Sequence, residues 1–336
     1  MFADVTADDV RRAAECLRGI VRRTELRRAR HLSTRTGTDV WLKLENEQIT
    51  GSFKIRGAYN AVVSLAPEDR SRGVVTASAG NHGRGVALAA QRFGIPATIF
   101  VPRTAPRVKI NGMRECNATV DADSGHYDEA HARAIAFAAE HEVTYLDPCV
   151  GVPLVAGQGT VALEILDQLP GVRSVIVPVG GAGLLGGMGA FLREVKRDVR
   201  IVGAQSEHTS AMARSLEAGR VVDTPMLPTL ADGLAGAIDA HGLDVGLRAL
   251  DAMVTVTEPE IERAIVVLAR EERVVAEGSG AVGVAALLTE DLDTGDGPVV
   301  IVISGGNIDP EVLKRVLENQ GRTGRTERPG RTERTS

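Results

Sequence analysis

Short β-branched runs alternate with longer Ala/Leu/Glu/Arg-rich runs along most of the chain. The apolar runs, bounded by Gly, Pro and Asp, predict strands at 40–44, 73–77, 97–101, 119–121, 143–146, 174–179, 200–204, 252–256 and 299–303. Helical spacing of apolar positions predicts helices at 6–17, 55–64, 83–93, 127–139, 157–168, 184–194, 210–218, 258–271, 281–288 and 310–318. Some starts carry caps: Thr257 is followed three positions on by Glu260, the pattern of a capping box. This alternation of strand and helix predicts parallel sheets covered by helices on both faces. The stretch from Asp223 to Thr229, rich in Pro and Thr, reads as a loop.

Composition refines the picture without changing it. An apolar fraction of 43% supports a real core, and 3% aromatics means that core rests on Val, Leu, Ile and Ala. The net charge of −5 is dispersed, which gives no electrostatic reason to expect nucleic acid or an anionic membrane as partner. Cys16, Cys116 and Cys149 lie far apart, so neither a disulfide framework nor a zinc site is expected. The opening residues show no secretory pattern and no stretch approaches a membrane span; the cytoplasm is the expected compartment. From Arg322 to Ser336 the chain holds five Arg and two Glu with no apolar residue except Pro329, so 321–336 is expected to be a disordered tail.

Chemistry gathers at the predicted strand ends. Lys54 is the amine of the glycine-bounded segment Gly51-Ser52-Phe53-Lys54-Ile55-Arg56-Gly57. Set between apolar residues, such an amine suits Schiff-base chemistry. The small residues Thr50, Gly51 and Ser52 before it leave space for a ligand to approach. The strand at 174–179 opens into Gly180-Gly181-Ala182-Gly183-Leu184-Leu185-Gly186-Gly187, where backbone N–H groups can converge on a phosphate. An amine and a phosphate cradle together point to pyridoxal phosphate. Within the cluster, residues 181–186 also match GxGxxG, with Glu207 at the offset of a ribose-binding acid, so a nicotinamide oxidoreductase stays open at this point. Ser78-Ala79-Gly80-Asn81-His82 and Ser304-Gly305-Gly306-Asn307 are two further polar strand ends. Together they suggest one crevice at the carboxyl edges of the sheets.

These segments resemble the fold-type II pyridoxal-phosphate enzymes of the serine/threonine dehydratase (threonine ammonia-lyase) and serine racemase group. Matching runs are 52–58, 78–83, 156–160, 180–184, 230–233 and 304–307, in family order over nearly the whole domain. The resemblance implies an α/β, tryptophan synthase β-like fold of two domains with mostly parallel sheets. The large cofactor-binding domain would comprise 1–69 and 152–320, and the small α/β domain 70–151. It also implies pyridoxal 5′-phosphate as cofactor, bound to Lys54, with Phe53 against its ring and Asn81 on its phenolic oxygen. Gly180, Gly181, Ala182, Gly183 and Leu184 would hold its phosphate, Ser304 would face its ring nitrogen, and Glu277 would be a carboxylate close by. Ser78, Ala79, Gly80, Asn81 and His82 would bind the substrate carboxylate. A homodimer is the assembly the resemblance suggests.

The implied reaction is β-elimination from an L-β-hydroxy amino acid such as threonine or serine, giving a 2-oxo acid and ammonia. Serine racemases of the group carry a second base, a serine, where this chain has Ala79, which favours elimination. At the position of a divalent-metal carboxylate in several relatives stands Gln205, so no essential metal is expected. The segment 147–153 and residues 234–239 resemble the branch acting in hydroxyectoine breakdown, whose substrate is a hydroxylated diaminobutyrate. A 3-hydroxyaspartate dehydratase and a non-catalytic sensor are further alternatives.

Overall fold

The computed structural model describes residues 5–105, 107–289 and 292–326. The chain opens with α1 (Ala7–Leu17), β1 (Leu26–Arg28), α2 (Arg30–Thr36), β2 (Val40–Lys43), α3 (Lys54–Val63) and α4 (Pro67–Arg72). A second run follows: β3 (Val74–Ala77), α5 (Asn81–Phe93), β4 (Ala97–Pro102), α6 (Arg107–Arg114), β5 (Thr119–Ser124), α7 (Tyr127–Glu140) and β6 (Thr144–Tyr145). The third begins with α8 (Val152–Gln168), β7 (Ser174–Pro178), α9 (Gly183–Val195), β8 (Arg200–Ser206), α10 (Ala211–Ala218) and α11 (Ala240–Ala249). It closes with β9 (Ala252–Val256), α12 (Glu258–Val267), α13 (Gly278–Leu287), β10 (Val299–Val302) and α14 (Pro310–Thr326).

Two sheets result. The larger has six strands in the order β1-β2-β10-β7-β8-β9, and the smaller has four, β5-β4-β3-β6. Every pairing is parallel except β1 on β2 at the edge. Strands β7 and β10 are buried at every position, as expected of central strands covered on both faces. One apolar cluster packs α1, α3, α8 and α9 on one face of the large sheet and continues under α5. A second packs α12 and α13 on the other face.

Helix α8 begins at Val152, five positions before the expected start at Gly157, because its glycines are packing residues within the helix. A Cβ at Gly157 would lie 2.6 Å from the Arg56 carbonyl oxygen of α3. The same close approach occurs on the other side, where Gly187 of α9 meets the Val155 carbonyl and Gly159. Glycines let three helix backbones come together here, at the cost of helix propensity. The elements β1, α2, α4, α6 and α11 escape the sequence pattern; all are short, from three to ten residues. The expected helix at 258–271 changes to a π-helical turn at Leu268–Glu272.

The tail expected at 321–336 overlaps the end of the last helix. Helix α14 runs to Thr326, so 321–326 continue a helix already nucleated by its packed first turns. Residues 327–336 lie outside the described residues.

Candidate active site

Three strand-to-helix turns and one strand-end loop build the site. After β2 a 3-10 turn at Glu45–Glu47 leads into residues 48–53, and Lys54 is the first residue of α3. That loop is zipped to the one after β10. Ser52 bridges Gly305, the Phe53 N–H donates to the Ser304 carbonyl at 3.1 Å, and Gly306 N–H donates to Gly51 O at 2.9 Å. Space expected at Gly51 for a ligand is instead filled from within: a Cβ there would collide with the Asn307 carboxamide. Lys54 therefore projects from a loop fixed to the sheet on both sides.

Helix α3 is locked from below by buried charges. Arg56 donates Nε and Nη2 to Glu45 (2.8 Å each) and Nη1 and Nη2 to Glu164 (2.7 and 3.0 Å). Lys43 donates to Glu164 at 2.5 Å and to the Thr24 carbonyl at 2.9 Å. Two cations face two carboxylates, so the network is balanced; such pairs fix geometry more surely than they add stability. It orients the helix that carries Lys54.

The Lys54 amine donates to the Pro148 carbonyl at 2.9 Å and lies 5.3 Å from the Phe53 ring centroid. Pro148 sits in a turn shaped by Asp147, whose Oδ1 accepts from the N–H groups of Cys149 (2.8 Å) and Val150 (2.9 Å). Cys149 then packs on the glycine turn, where a Cβ at Gly181 would meet its Sγ at 2.6 Å. Lys54 and the glycine turn are thus brought together by one loop.

At that turn Ala182 is held left-handed, φ 68°, as the N-cap of α9. The first bond of the helix runs from Gly186 N to Ala182 O, so the N–H groups of Gly183, Leu184 and Leu185 precede it and point out of the helix end. A 13-residue helix adds its dipole to those donors, which is the chemistry a phosphate needs.

The two remaining strand ends face this centre. Ser78, Ala79 and Gly80 are half-buried, and α5 starts at Asn81 with its free N–H groups. Asn81 Nδ2 donates to Glu277 Oε1 at 2.5 Å. Burial, and then the nearby Asp232 charge, raise the Glu277 carboxyl to about 7, against the pull of Asn81, Lys109 and Arg84. Ser304 is buried, and among the described residues its hydroxyl makes only a long 3.4 Å bond to the Ser279 carbonyl. The His82 ring is not at the surface of the cleft. Its Nε2 donates to the Leu146 carbonyl at 3.1 Å, and burial followed by the Lys54 charge pushes it down to about 3. His82 therefore stays neutral, and what it offers a carboxylate is its backbone N–H.

An amine, a helix-end phosphate cradle, an unspent buried hydroxyl and an amide–carboxyl pair fit pyridoxal phosphate group by group. The comparison with known sequences decides it: the model of the family described as pyridoxal-phosphate dependent enzyme matches residues 17–305. The chain belongs to that family. Its cofactor is pyridoxal phosphate, and the enzyme has the two-domain fold-type II architecture; the nicotinamide reading of residues 181–186 falls. The L-threonine ammonia-lyase of Thermotoga maritima is 45% identical to the enzyme over 320 residues, 94% of this chain and 79% of that one. Among solved structures, maize serine racemase superposes with a TM-score of 0.89 at 30% identity, covering 96% of this chain and 99% of that one. Threonine deaminase isoform 2 from Solanum lycopersicum, in its processed form, does so with 0.87 at 32% identity over 94% and 88%.

Some participants escaped the sequence reading. The segment 147–153 stands out in the sequence, but the contact its Pro148 carbonyl makes with Lys54 does not. Lys109 of α6 forms an ion pair with Asp232 at 2.7 Å across the two halves, and nothing in the spacing of either residue announces it. Gln205, at the expected metal position, is wholly buried, and its Oε1 accepts from Ala213 N at 3.3 Å.

Proposed function

We propose that the enzyme dehydrates and deaminates a small L-β-hydroxy amino acid, threonine or serine, to a 2-oxo acid and ammonia. The observation that carries this reading is the placement of Lys54 beside a phosphate cradle with only a methyl group, Ala79, at the position where a racemase would carry a second base. Pyridoxal phosphate, when bound, supplies an aldehyde for an amine to capture and a ring that withdraws electrons from the substrate α-carbon. Lys54 would anchor the cofactor, and its amine would serve as the base for the α proton. The N–H groups of residues 78–82 hold the substrate carboxylate at the start of α5. Phe53, Asn81, Glu277 and Ser304 would hold the cofactor, Phe53 against its ring, Asn81 and Glu277 toward its phenolic oxygen, and Ser304 as a neutral partner for its nitrogen. A neutral partner would not hold the ring nitrogen protonated as a carboxylate would, so the ring would withdraw less charge, which favours prompt loss of the β-hydroxyl.

The 147–153 loop and residues 234–239 are the features that point to a larger, hydroxyectoine-derived substrate. Asp147 Oδ1 is spent within that loop on two backbone N–H groups, which weakens the case for it as a partner of a second substrate nitrogen. We also infer a division into 1–69 with 152–320 and 70–151, a C2 homodimer, and a cytoplasmic place of work. No helix among the described residues is long and apolar enough to cross a membrane.

A panel of L-threonine, L-serine, 3-hydroxyaspartate and hydroxylated diaminobutyrate, scored by release of 2-oxo acid and ammonia, tests the substrate. Threonine or serine is expected to give the highest kcat/KM. A tenfold advantage for the diaminobutyrate, about 1.4 kcal/mol of transition-state discrimination, overturns the substrate and leaves the lyase chemistry standing.

A further inference from the structure

A one-way chain of hydrogen bonds runs through the site. Arg84 Nη1, on α5, donates to Asn307 Oδ1 at 2.6 Å. Asn307 Nδ2 donates to Asn81 Oδ1 at 2.6 Å and to the Thr50 carbonyl at 2.9 Å. Asn81 Nδ2 donates in turn to Glu277. A guanidinium has donors only, so Asn307 must turn its oxygen toward Arg84. Its nitrogen is then left for two acceptors, one of them a carbonyl that can do nothing but accept. Asn81 must answer with its oxygen, which aims its nitrogen at Glu277. The direction is set by the Arg84 guanidinium, which only donates, and the Thr50 carbonyl, which only accepts; Glu277 accepts at the far end. Gly51 and Gly305 make room for it, since side chains there would strike Asn307 and Glu277.

We propose that Arg84 and Asn307 are positioning residues for the reaction proposed above, fixing Asn81 so that it presents a nitrogen donor, not an oxygen acceptor, to the cofactor's phenolic oxygen. The proposal rests on the lyase reading. Among the described residues Asn81 Nδ2 donates to Glu277 alone, so one of its two hydrogens is left for that ligand. An inverted amide would put oxygen against oxygen. The relay also joins the two halves of the molecule, because Arg84 and Asn81 belong to α5 while Thr50, Glu277 and Asn307 lie on loops of the large sheet.

The test is a pH titration of the visible cofactor absorption in the holoenzyme. Besides the relay, Asp232 and Lys109 act on Glu277, and Lys54 of α3 acts on His82, which neighbours Asn81 on α5. Losing the donor strengthens the phenolic oxygen's hold on the proton it shares with the Lys54 nitrogen, so the midpoint should rise. Arg84→Met is expected to raise it by about one pH unit, and Arg84→Lys to return it toward wild type. Arg84→Met also removes a cation, so Asn307→Leu, which changes no charge, is the deciding variant and should give the same rise. Asn307→Ala replaces it if the leucine variant does not fold. A midpoint unmoved by the Asn307 substitution overturns the proposal, whatever Arg84→Met does. A wild-type protein with no such absorption overturns the lyase reading instead.

Discussion

Lys54 and Pro148 are joined by a 2.9 Å hydrogen bond, amine to carbonyl, so the reactive nitrogen is held by the connection that leads back from the small sheet. The turn that offers this carbonyl depends on Asp147. Asp147→Ala removes an acceptor for two backbone N–H groups, each worth about 1 kcal/mol, and frees the carbonyl to move. We expect kcat/KM to fall about tenfold or more, with Asp147→Asn, which keeps an acceptor oxygen, close to wild type. Equal losses in the two variants would mean that the Asp147 charge, not the turn, matters.

Gly181 has no room for a side chain while Cys149 keeps its thiol. Gly181→Ala is expected to weaken cofactor affinity by about tenfold or more, since 1.4 kcal/mol of strain suffices for that. Adding Cys149→Ala removes the atom that the new methyl would strike at 2.6 Å and should restore part of the loss. Cofactor titration of the two variants measures the coupling; purely additive losses would contradict the contact.

Arg56 sits between Glu45 and Glu164 with almost no exposure, 1% for its side chain. Arg56→Met should cost about 3–5 kcal/mol because it strands buried carboxylates. Arg56→Lys keeps the charge but not the bidentate geometry and should cost less. The midpoint of urea unfolding reads both, and a methionine variant as stable as wild type would show the network to be dispensable.

Alternation of apolar runs was enough to place the central strands, because β7 and β10 are buried on both faces and admit little but Val, Ile and a few small residues. Asn81, the 180–184 turn and Ser304 stand out for another reason: each lies within a few residues of a strand's end, while Lys54 opens the helix reached from β2 by a longer loop. What stayed hidden depends on contacts between distant segments. Arg84 and Asn307 are 223 positions apart, and Lys109 and Asp232 are 123 apart. The glycines at 51 and 157 read as openings for a ligand or as a helix boundary, yet they serve close packing against Asn307 and α3. A missing side chain looks the same in sequence whether a cofactor or the protein itself fills the space.

Glu277 gives the pH dependence a sign. Its carboxyl, normally near 4.5, is raised to about 7, so between those values the folded protein holds a proton that the unfolded chain releases. Stability from this group is complete below about pH 4.5 and is lost as pH rises through about 7. Asp232 pushes in the raising direction, while Asn81, Lys109 and Arg84 oppose it. Melting temperatures taken across this window should fall more steeply for wild type than for Glu277→Gln. Parallel curves would contradict the raised carboxyl.

The central claim is that Lys54 carries the cofactor and performs the elimination. Borohydride reduction of the holoenzyme followed by peptide mass mapping tests it most directly. We expect loss of visible absorption, the mass of the reduced cofactor on the peptide containing Lys54, and no release of 2-oxo acid from L-threonine or L-serine afterwards; Lys54→Ala should show no label and no turnover. Label on another lysine, or full turnover by Lys54→Ala, would contradict the account.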